Sequence, residues 1–435
     1  MPQARGSEKP NDAFMVKEGS AIRGTGASVE TRMSWIMTFA ALWVMSIAFG
    51  APYLAVVALK PMAAELGERA VPSLAYSLAW LGMAAGGIAM GQIAARIGMR
   101  WTIMFGAVMV SAGLVLASRG TAWEITVGYG LFVGLLGIAA MNAPLYVYVS
   151  HWFDRRLGTA LALVSSGQYV AGAIWPVIFE RAIAQVGWHE TMLLFGGAEL
   201  VLVAPVALML RSPPEITGGE TSTTGGRSGG RVLGLHPNAV LALLAGASLF
   251  CCVPMAMPQG HLVAFCTDLG IAPAHGAAML SLLLITAFLS RQIWGWISDR
   301  IGGLRTVLAS SACQATAITA LLFTHNEIGL FTVSAFFGFG FSGLIPAYVL
   351  AIRELFPAAE ASWRVPTFLL FSGSGMALGG WAAGAIYDHF GFYEAAFAFG
   401  VMANFVNLAI IGFLVFRLHG RTTVPALLTE GMRPT

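Results

Sequence analysis

The sequence predicts an all-α membrane protein whose twelve transmembrane helices form two pseudo-symmetric six-helix halves. Composition, the spacing of long apolar runs and an internal repeat lead there. Of 435 residues, 57% are apolar and 10% charged, against about 25% charged in ordinary soluble domains. Mean hydropathy is +0.75. No soluble fold hides this much apolar surface without exposing patches that aggregate. The net charge of +3 is too small an excess to hold a polyanion. A soluble enzyme and a nucleic-acid binder are both excluded.

Residues 1–34 are mostly polar and are expected to form a disordered cytoplasmic N-terminus. No basic segment with a small-residue cleavage site abuts the first apolar run, so that run is expected to stay as an anchor. Crossing ~30 Å of hydrocarbon takes about 20 apolar residues. Such runs occur at 35–59, 74–95, 101–118, 125–149, 157–179 and 191–210, giving an N-terminal bundle over 35–210. A polar, Gly-rich cytoplasmic linker over 211–238 follows, with its most flexible composition from Thr221 to Gly230. Further runs at 239–265, 276–298, 305–323, 328–352, 366–387 and 393–416 make a C-terminal bundle over 239–416, and 417–435 is a cytoplasmic tail.

With twelve spans both termini share one side, and that side carries 19 of the 24 Lys and Arg. The opposite side has Lys60, Arg69, Arg119 and Arg181, while Arg291 lies inside a span. Basic excess marks the cytoplasm, so both termini are expected there, in a multi-pass protein of the cell (inner) membrane. Cys251, Cys252 and Cys313 lie in apolar runs and Cys266 at the end of one, without metal-ligand spacing. No disulfide framework, metal or cofactor is implied.

A shift of 204 residues superposes Gly91, Ile93, Arg96, Ile97 and Gly98 on Gly295, Ile297, Arg300, Ile301 and Gly302. The same shift brings Gly187, Glu190, Phe195 and Gly196 onto Gly391, Glu394, Phe399 and Gly400. A constant offset at two distant places indicates duplication. Six spans is an even number, so the copies insert in the same orientation, and substrate sites in such folds lie between them.

The segments GQIAARIGMR after span 2 and GWISDRIGGLR after span 8 resemble the cytoplasmic loop signature of the major facilitator superfamily. The resemblance implies a cytoplasmic gate: Gly91 and Gly295 for close helix packing, Arg96, Asp299 and Arg300 to tie neighbouring helices. Ala95 stands where the first copy would carry its aspartate, so its lock must differ. Within the superfamily, HWFDRRLGTALALVSSG, SRQIWGWISDRIGG and IRELFP resemble the monocarboxylate transporters and oxalate:formate antiporters. Drug:proton antiporters typically carry a Gly-Pro-x-x-Gly-Gly run in span 5. Here Gly158, Gly167 and Gly172 are followed by Ala173.

An arginine at a helix centre costs about 2.5–3.5 kcal/mol on insertion scales. Arg291 has two accounts: it snorkels to the interface or makes a structural pairing, or it meets a substrate carboxylate with its planar fork. The resemblance favours the second, because the family's anion-binding arginine falls at this place. Oxalate transporters add a lysine in span 11 where Ser374 stands, so one good cation is available and a monoanion fits better. Tyr53, Asn142, Phe341 and Phe371 are further wall candidates from family matching and intramembrane polarity. Ordinary helix packing or an interhelical hydrogen bond is the competing account of each.

Lys60, beside Pro61 at the outer end of span 1, reads as an interface anchor. Mammalian relatives carry an aspartate where Ala287 stands, which leaves Glu199, an acid deep in span 6, as the coupling candidate. The competing account is a structural acid. His151, His189, His236, His261 and His275 read as solvated or capping groups rather than a proton relay. Pro144, Pro176, Pro254, Pro258 and Pro346 mark kinks.

The expected function is secondary transport of a small monocarboxylate by alternating access, proton-coupled or by anion exchange. The alternative is efflux of drugs or other small molecules on the same fold. No enzyme activity, nucleic acid or obligatory protein partner is expected, because loops of mostly ~5–15 residues leave no room for a further domain. The partners implied are the carboxylate, the bilayer and, for the coupled mode, protons.

Overall fold

The computed structural model describes residues 30–153, 156–212 and 231–422. Most of the expected N-terminal segment, the Thr221 to Gly230 linker and most of the tail lie outside the described residues. Those described are almost wholly helical, with one isolated bridge between Val232 and Leu235. Backbone polar groups in hydrocarbon must be satisfied within their own segment, and only helices and closed barrels achieve that.

The first half contains α1 (Arg32–Ala48), α2 (Gly50–Val57), α3 (Leu59–Leu66), α4 (Ala70–Ile97), α5 (Met99–Ala117) and α6 (Ala122–Val127). A π-helical stretch, Gly128–Ile138, then leads into α7 (Ala139–Ser150), α8 (Leu157–Ser165) and α9 (Gly167–Met209). The second half contains α10 (Pro237–Asp268), α11 (Pro273–Ile301), α12 (Gly303–Phe323), α13 (Glu327–Phe341), α14 (Leu344–Leu355), α15 (Ala358–Phe390) and α16 (Tyr393–Thr422).

Ten helices among the described residues are long and apolar enough to cross a membrane, or eleven with the bent α4 counted. One of the ten, Thr159–Met209, has 51 residues, about 77 Å of helix, far more than a single crossing requires. It breaks at Gly187, whose φ of 81° and ψ of 167° leave the helical region. The expected spans 5 and 6 are the two arms of this run.

The duplication is visible in the backbone. Gly98 (φ 85°, ψ 157°) and Gly302 (φ 82°, ψ 164°) adopt the same turn one repeat apart. Glycine takes a positive φ without the Cβ clash that penalises other residues. Both loop signatures therefore end in a residue that stops one helix and starts the next.

Two main seams join the halves, with α10 also meeting α2 and α3. On one, α15 lies against α4 through small residues: a Cβ on Gly384 would meet Ser73 Oγ at 2.3 Å, and one on Gly373 would meet Ala84 Cβ at 2.7 Å. Small residues spaced along a helix let backbones approach where lipid gives no hydrophobic drive. On the other seam α11 packs against α9 of the first half.

Candidate functional site

Arg291 sits on α11 at the second seam and is 8% exposed. Its Nη1 donates to Ser165 Oγ at 2.8 Å and its Nη2 to Tyr169 OH at 3.2 Å. The guanidinium carbon also lies 4.7 Å from the centre of the Tyr169 ring, a cation–π contact. Both hydroxyls belong to the first half, at the junction of α8 and α9. No carboxylate among the described residues lies within ion-pair distance, and Arg291 Nε is buried without an acceptor. The arginine does not snorkel. It is a buried cation balanced by neutral oxygens, an arrangement short of compensation.

Aromatic groups enclose it. Phe341, 1% exposed at the end of α13, meets Tyr169 edge-on at 6.0 Å. Tyr146 on α7 lies within electrostatic reach of Arg291 and Tyr169. Tyr53, 2% exposed on α2, is within the same reach of Tyr169 and Tyr76. A Cβ on Gly172 would sit 2.6 Å from Tyr53 Cζ and 2.0 Å from Leu284 Cδ1, so this glycine is what lets the two side chains cross between the halves. Asn142 stands one helical turn from Tyr146. Its Nδ2 lies 3.2 Å from Met83 Sδ, and its buried Oδ1 has no partner.

The structure thus gathers Arg291, Tyr53 and Phe341 around Tyr169 and sets Asn142 on the adjoining helix. It does not bring Phe371 and Ser374 there. Phe371, Leu378 and Trp381 form an apolar stripe on α15, 40–43% exposed, and Ser374 on that stripe spends its hydroxyl on the Leu370 carbonyl. The faces of α15 that meet neighbours are others: Gly373, Gly380 and Gly384 toward α4, Ser372, Gly375 and Gly379 toward α10. A family position in span 11 does not fix which way the helix is turned.

Sequence reasoning missed Ser165, Tyr169 and Tyr146. The available signal was a polar stripe in span 5: Ser165, Tyr169 and Gly172 at spacings of four and three share one helix face. Glu199 on α9 is 0% exposed, and neither carboxyl oxygen has a partner among the described residues. It lies one turn from Gly196, which packs against α5 at Ser111 and Leu114, away from Arg291.

The gate signatures on the face carrying the termini are apart. A Cβ on Gly91 or Gly295 would meet nothing within 4 Å. Arg96 and Asp299 are exposed, and Arg300 stacks on Trp296 of its own helix at 3.4 Å. The expected close packing and inter-helix ties are not made in this conformation, because the halves close at the opposite face instead.

There Arg69, just before α4, donates to Asp268 at the end of α10 through Nη1 at 2.5 Å and Nη2 at 2.8 Å. Lys60 Nζ reaches the same carboxylate at 2.9 Å, so it is a cross-half ion-pair partner rather than an interface anchor. Asp388 at the end of α15 caps the N-terminus of α4, accepting from the backbone N–H of Arg69 at 2.9 Å and of Ala70 at 2.7 Å. An anion is favoured at that end of a helix. Tyr387 lies 3.7 Å beneath the Arg69 guanidinium.

His261, expected to be solvated or capping, is instead 1% exposed and bonded to Tyr393 and Gly380 behind this latch. The other histidines follow expectation: His236 caps α10, and His189 and His275 pair with Glu65 and Glu327 at the surface. A crevice of about 350 Å³ opens beside the latch, lined by Lys60, Glu180, Thr267 and apolar residues of α2, α9 and α10.

Comparison with known proteins agrees with this architecture. The Major Facilitator Superfamily model matches residues 34–265 and 239–432, one match per half with an overlap. Monocarboxylate transporter 13 of Bos taurus is 26% identical over 330 residues, 75% of each chain. MFS-type transporter 1 of an Ophiocordyceps species is 24% identical over 285 residues, 62% of this chain and 60% of that protein. Two solved structures share the fold. A bacterial homolog of the human lysosomal transporter Spinster, inward-facing and occupied, has a TM-score of 0.69 at 12% identity, over 89% of this chain and 97% of its own. A POT family transporter in complex with 5-aminolevulinic acid has a TM-score of 0.67 at 14% identity, over 89% and 96%. With two helical halves meeting at a buried arginine and a family match in each half, the chain belongs to the Major Facilitator Superfamily and is a multi-pass membrane transporter.

Proposed function

We propose that the protein carries a small monocarboxylate across the membrane by alternating access, with Arg291 as the anion anchor. One observation carries this: a buried guanidinium at the boundary of the halves, held by two hydroxyls of the opposite half and facing no carboxylate among the described residues. A substrate carboxylate would supply the missing charge through two parallel N–H···O bonds, the geometry a planar fork favours. A single cation suits a single negative charge, and Tyr53, Tyr146 and Phe341 suit a short organic remainder. Likeness to monocarboxylate transporter 13 supports the substrate class. Because Arg291 belongs to the second half and Ser165 and Tyr169 to the first, a bound anion bridges the parts that must move.

The basic excess on the face carrying the termini supports a cytoplasmic location for both; on that reading the latched face is external and the conformation is open inward. Asn142, with its spare carbonyl, is a candidate for a substrate hydroxyl. Glu199 remains the candidate for proton coupling, proton symport and anion exchange being the two modes. Proteoliposomes supplied with labelled lactate, pyruvate, formate, oxalate and aromatic acids, with and without a pH gradient, test the proposal. Uptake is expected for monocarboxylates and lost in Arg291→Ala, with little recovery in Arg291→Lys, a point charge without the fork. Wild-type rates in Arg291→Ala would refute the anchor.

A further inference from the structure

The hydrogen bonds behind the latch determine how many protons His261 carries. Its Nε2 lies 2.8 Å from the Gly380 carbonyl, which can only accept, so Nε2 bears a hydrogen. Its Nδ1 lies 3.0 Å from Tyr393 OH. That hydroxyl already accepts from Arg69 Nη1 at 3.0 Å, and its own hydrogen has Nδ1 as its acceptor. The chain runs in one direction: Arg69 donates to Tyr393, Tyr393 to His261, and His261 to Gly380. A second proton on the ring would put a donor where the acceptor is needed. Tyr393 would then face two donors with its own hydrogen unplaced.

The charges around the ring do not make room for that proton. From the residue before α4, Arg69 faces it through Tyr393, and from α4 Tyr76 packs beside Gly260 and Gly380. From α15 come Tyr387 and Asp388, from α16 Tyr393, from α3 Lys60, and from its own helix Gln259 and Asp268. The two carboxylates are committed elsewhere, Asp268 to Arg69 and Lys60 and Asp388 to the N-terminus of α4. His261 and Tyr393 are each 1% exposed, so water does not offset a charge there.

We propose that His261 is a proton-binding site that works against this latch: the latched network holds the neutral ring only, and a proton bound from the solution at that face holds the latch open. When α4 separates from α10 and α15, Tyr393 loses Arg69 and water reaches the imidazole, whose Nδ1 can then take a proton. Acid on that side therefore favours the conformation open to it, with no residue of the Arg291 site involved.

A single proton taken up only by the unlatched form raises the open-to-latched ratio by at most 10-fold per pH unit, and a rise of about 10-fold is expected between pH 7.5 and 5.5. Nitroxides at Ala122 and Ile328, exposed positions at this face on opposite halves, report the separation in detergent by electron–electron distance measurement. In the otherwise unaltered protein the long-distance population is expected to rise about 10-fold relative to the short one over that range. His261→Gln and His261→Asn keep a donor and an acceptor but cannot be protonated, and either is expected to remove the pH dependence. A flat response in the protein that keeps His261 overturns the proposal. So does an undiminished response in either monodisperse variant, which would place the source of the pH dependence outside His261.

Discussion

Asp268→Asn is the most direct perturbation of the latch. The carboxylate takes two bonds from Arg69, at 2.5 and 2.8 Å, and one from Lys60 at 2.9 Å. Lys60 is 39% exposed on its side chain, so its share is that of a surface pair, about 0–1 kcal/mol. Arg69 is different, because its side chain is 9% exposed. Hydrogen bonds to charged groups are worth about 1.5–3 kcal/mol each, but Arg69 keeps Tyr393 and the Tyr387 ring, and an asparagine carbonyl still accepts one bond. A net loss of about 2–3 kcal/mol follows, and it falls on the latched conformation alone. That shifts the ratio of latched to open molecules by roughly 30- to 150-fold.

The same pair of nitroxides at Ala122 and Ile328 reads the shift as growth of the longer distance. Asp388→Asn is the internal comparison. Asp388 accepts from backbone N–H groups, which an asparagine oxygen also serves, so its effect is expected to be the smaller. A distance distribution unchanged in Asp268→Asn, or an equal change in Asp388→Asn, would refute the assignment of the latch to the Arg69–Asp268 pair.

Two other substitutions probe separate parts of the molecule. In Gly338→Ala the new Cβ would lie 2.0 Å from the Leu283 carbonyl oxygen, a backbone atom that cannot rotate away. The crossing of α11 over α13 should lose about 1–3 kcal/mol or more, seen as a lower unfolding temperature in detergent, and a temperature equal to the parent's would contradict the packing described. Glu199→Gln keeps the size of a buried side chain while removing its ionisable group. Uptake driven by a pH gradient is expected to fall to the rate without one, while exchange persists; unchanged pH dependence would take Glu199 out of coupling.

Composition, run length and the internal repeat marked out the helical membrane architecture and its division into halves. The bilayer imposes those features locally, since each segment must be apolar, long enough and self-satisfied in its backbone hydrogen bonds. The repeat was legible for the same reason: Gly98 and Gly302 need the same backbone, so the same residue type recurs. Arg291 stood out because one charge in an apolar run is visible without any neighbour.

What surrounds Arg291 was decided only by tertiary structure. Lipid and bundle interior are both apolar, so periodicity in a membrane helix says little about which face turns inward. Tyr169 and Ser165 passed unnoticed although they bond Arg291, whereas Phe371 and Ser374 were chosen and turned to the open stripe of α15. The latch was equally hidden. Lys60 read as an interface anchor, Arg69 only as a basic residue of the outer loops and His261 as a solvated or capping group, while nothing in the sequence singled out Asp268 or Asp388. Their contact joins residues 199 and 319 positions apart along the chain, and only the closing of one half on the other brings them within bonding distance.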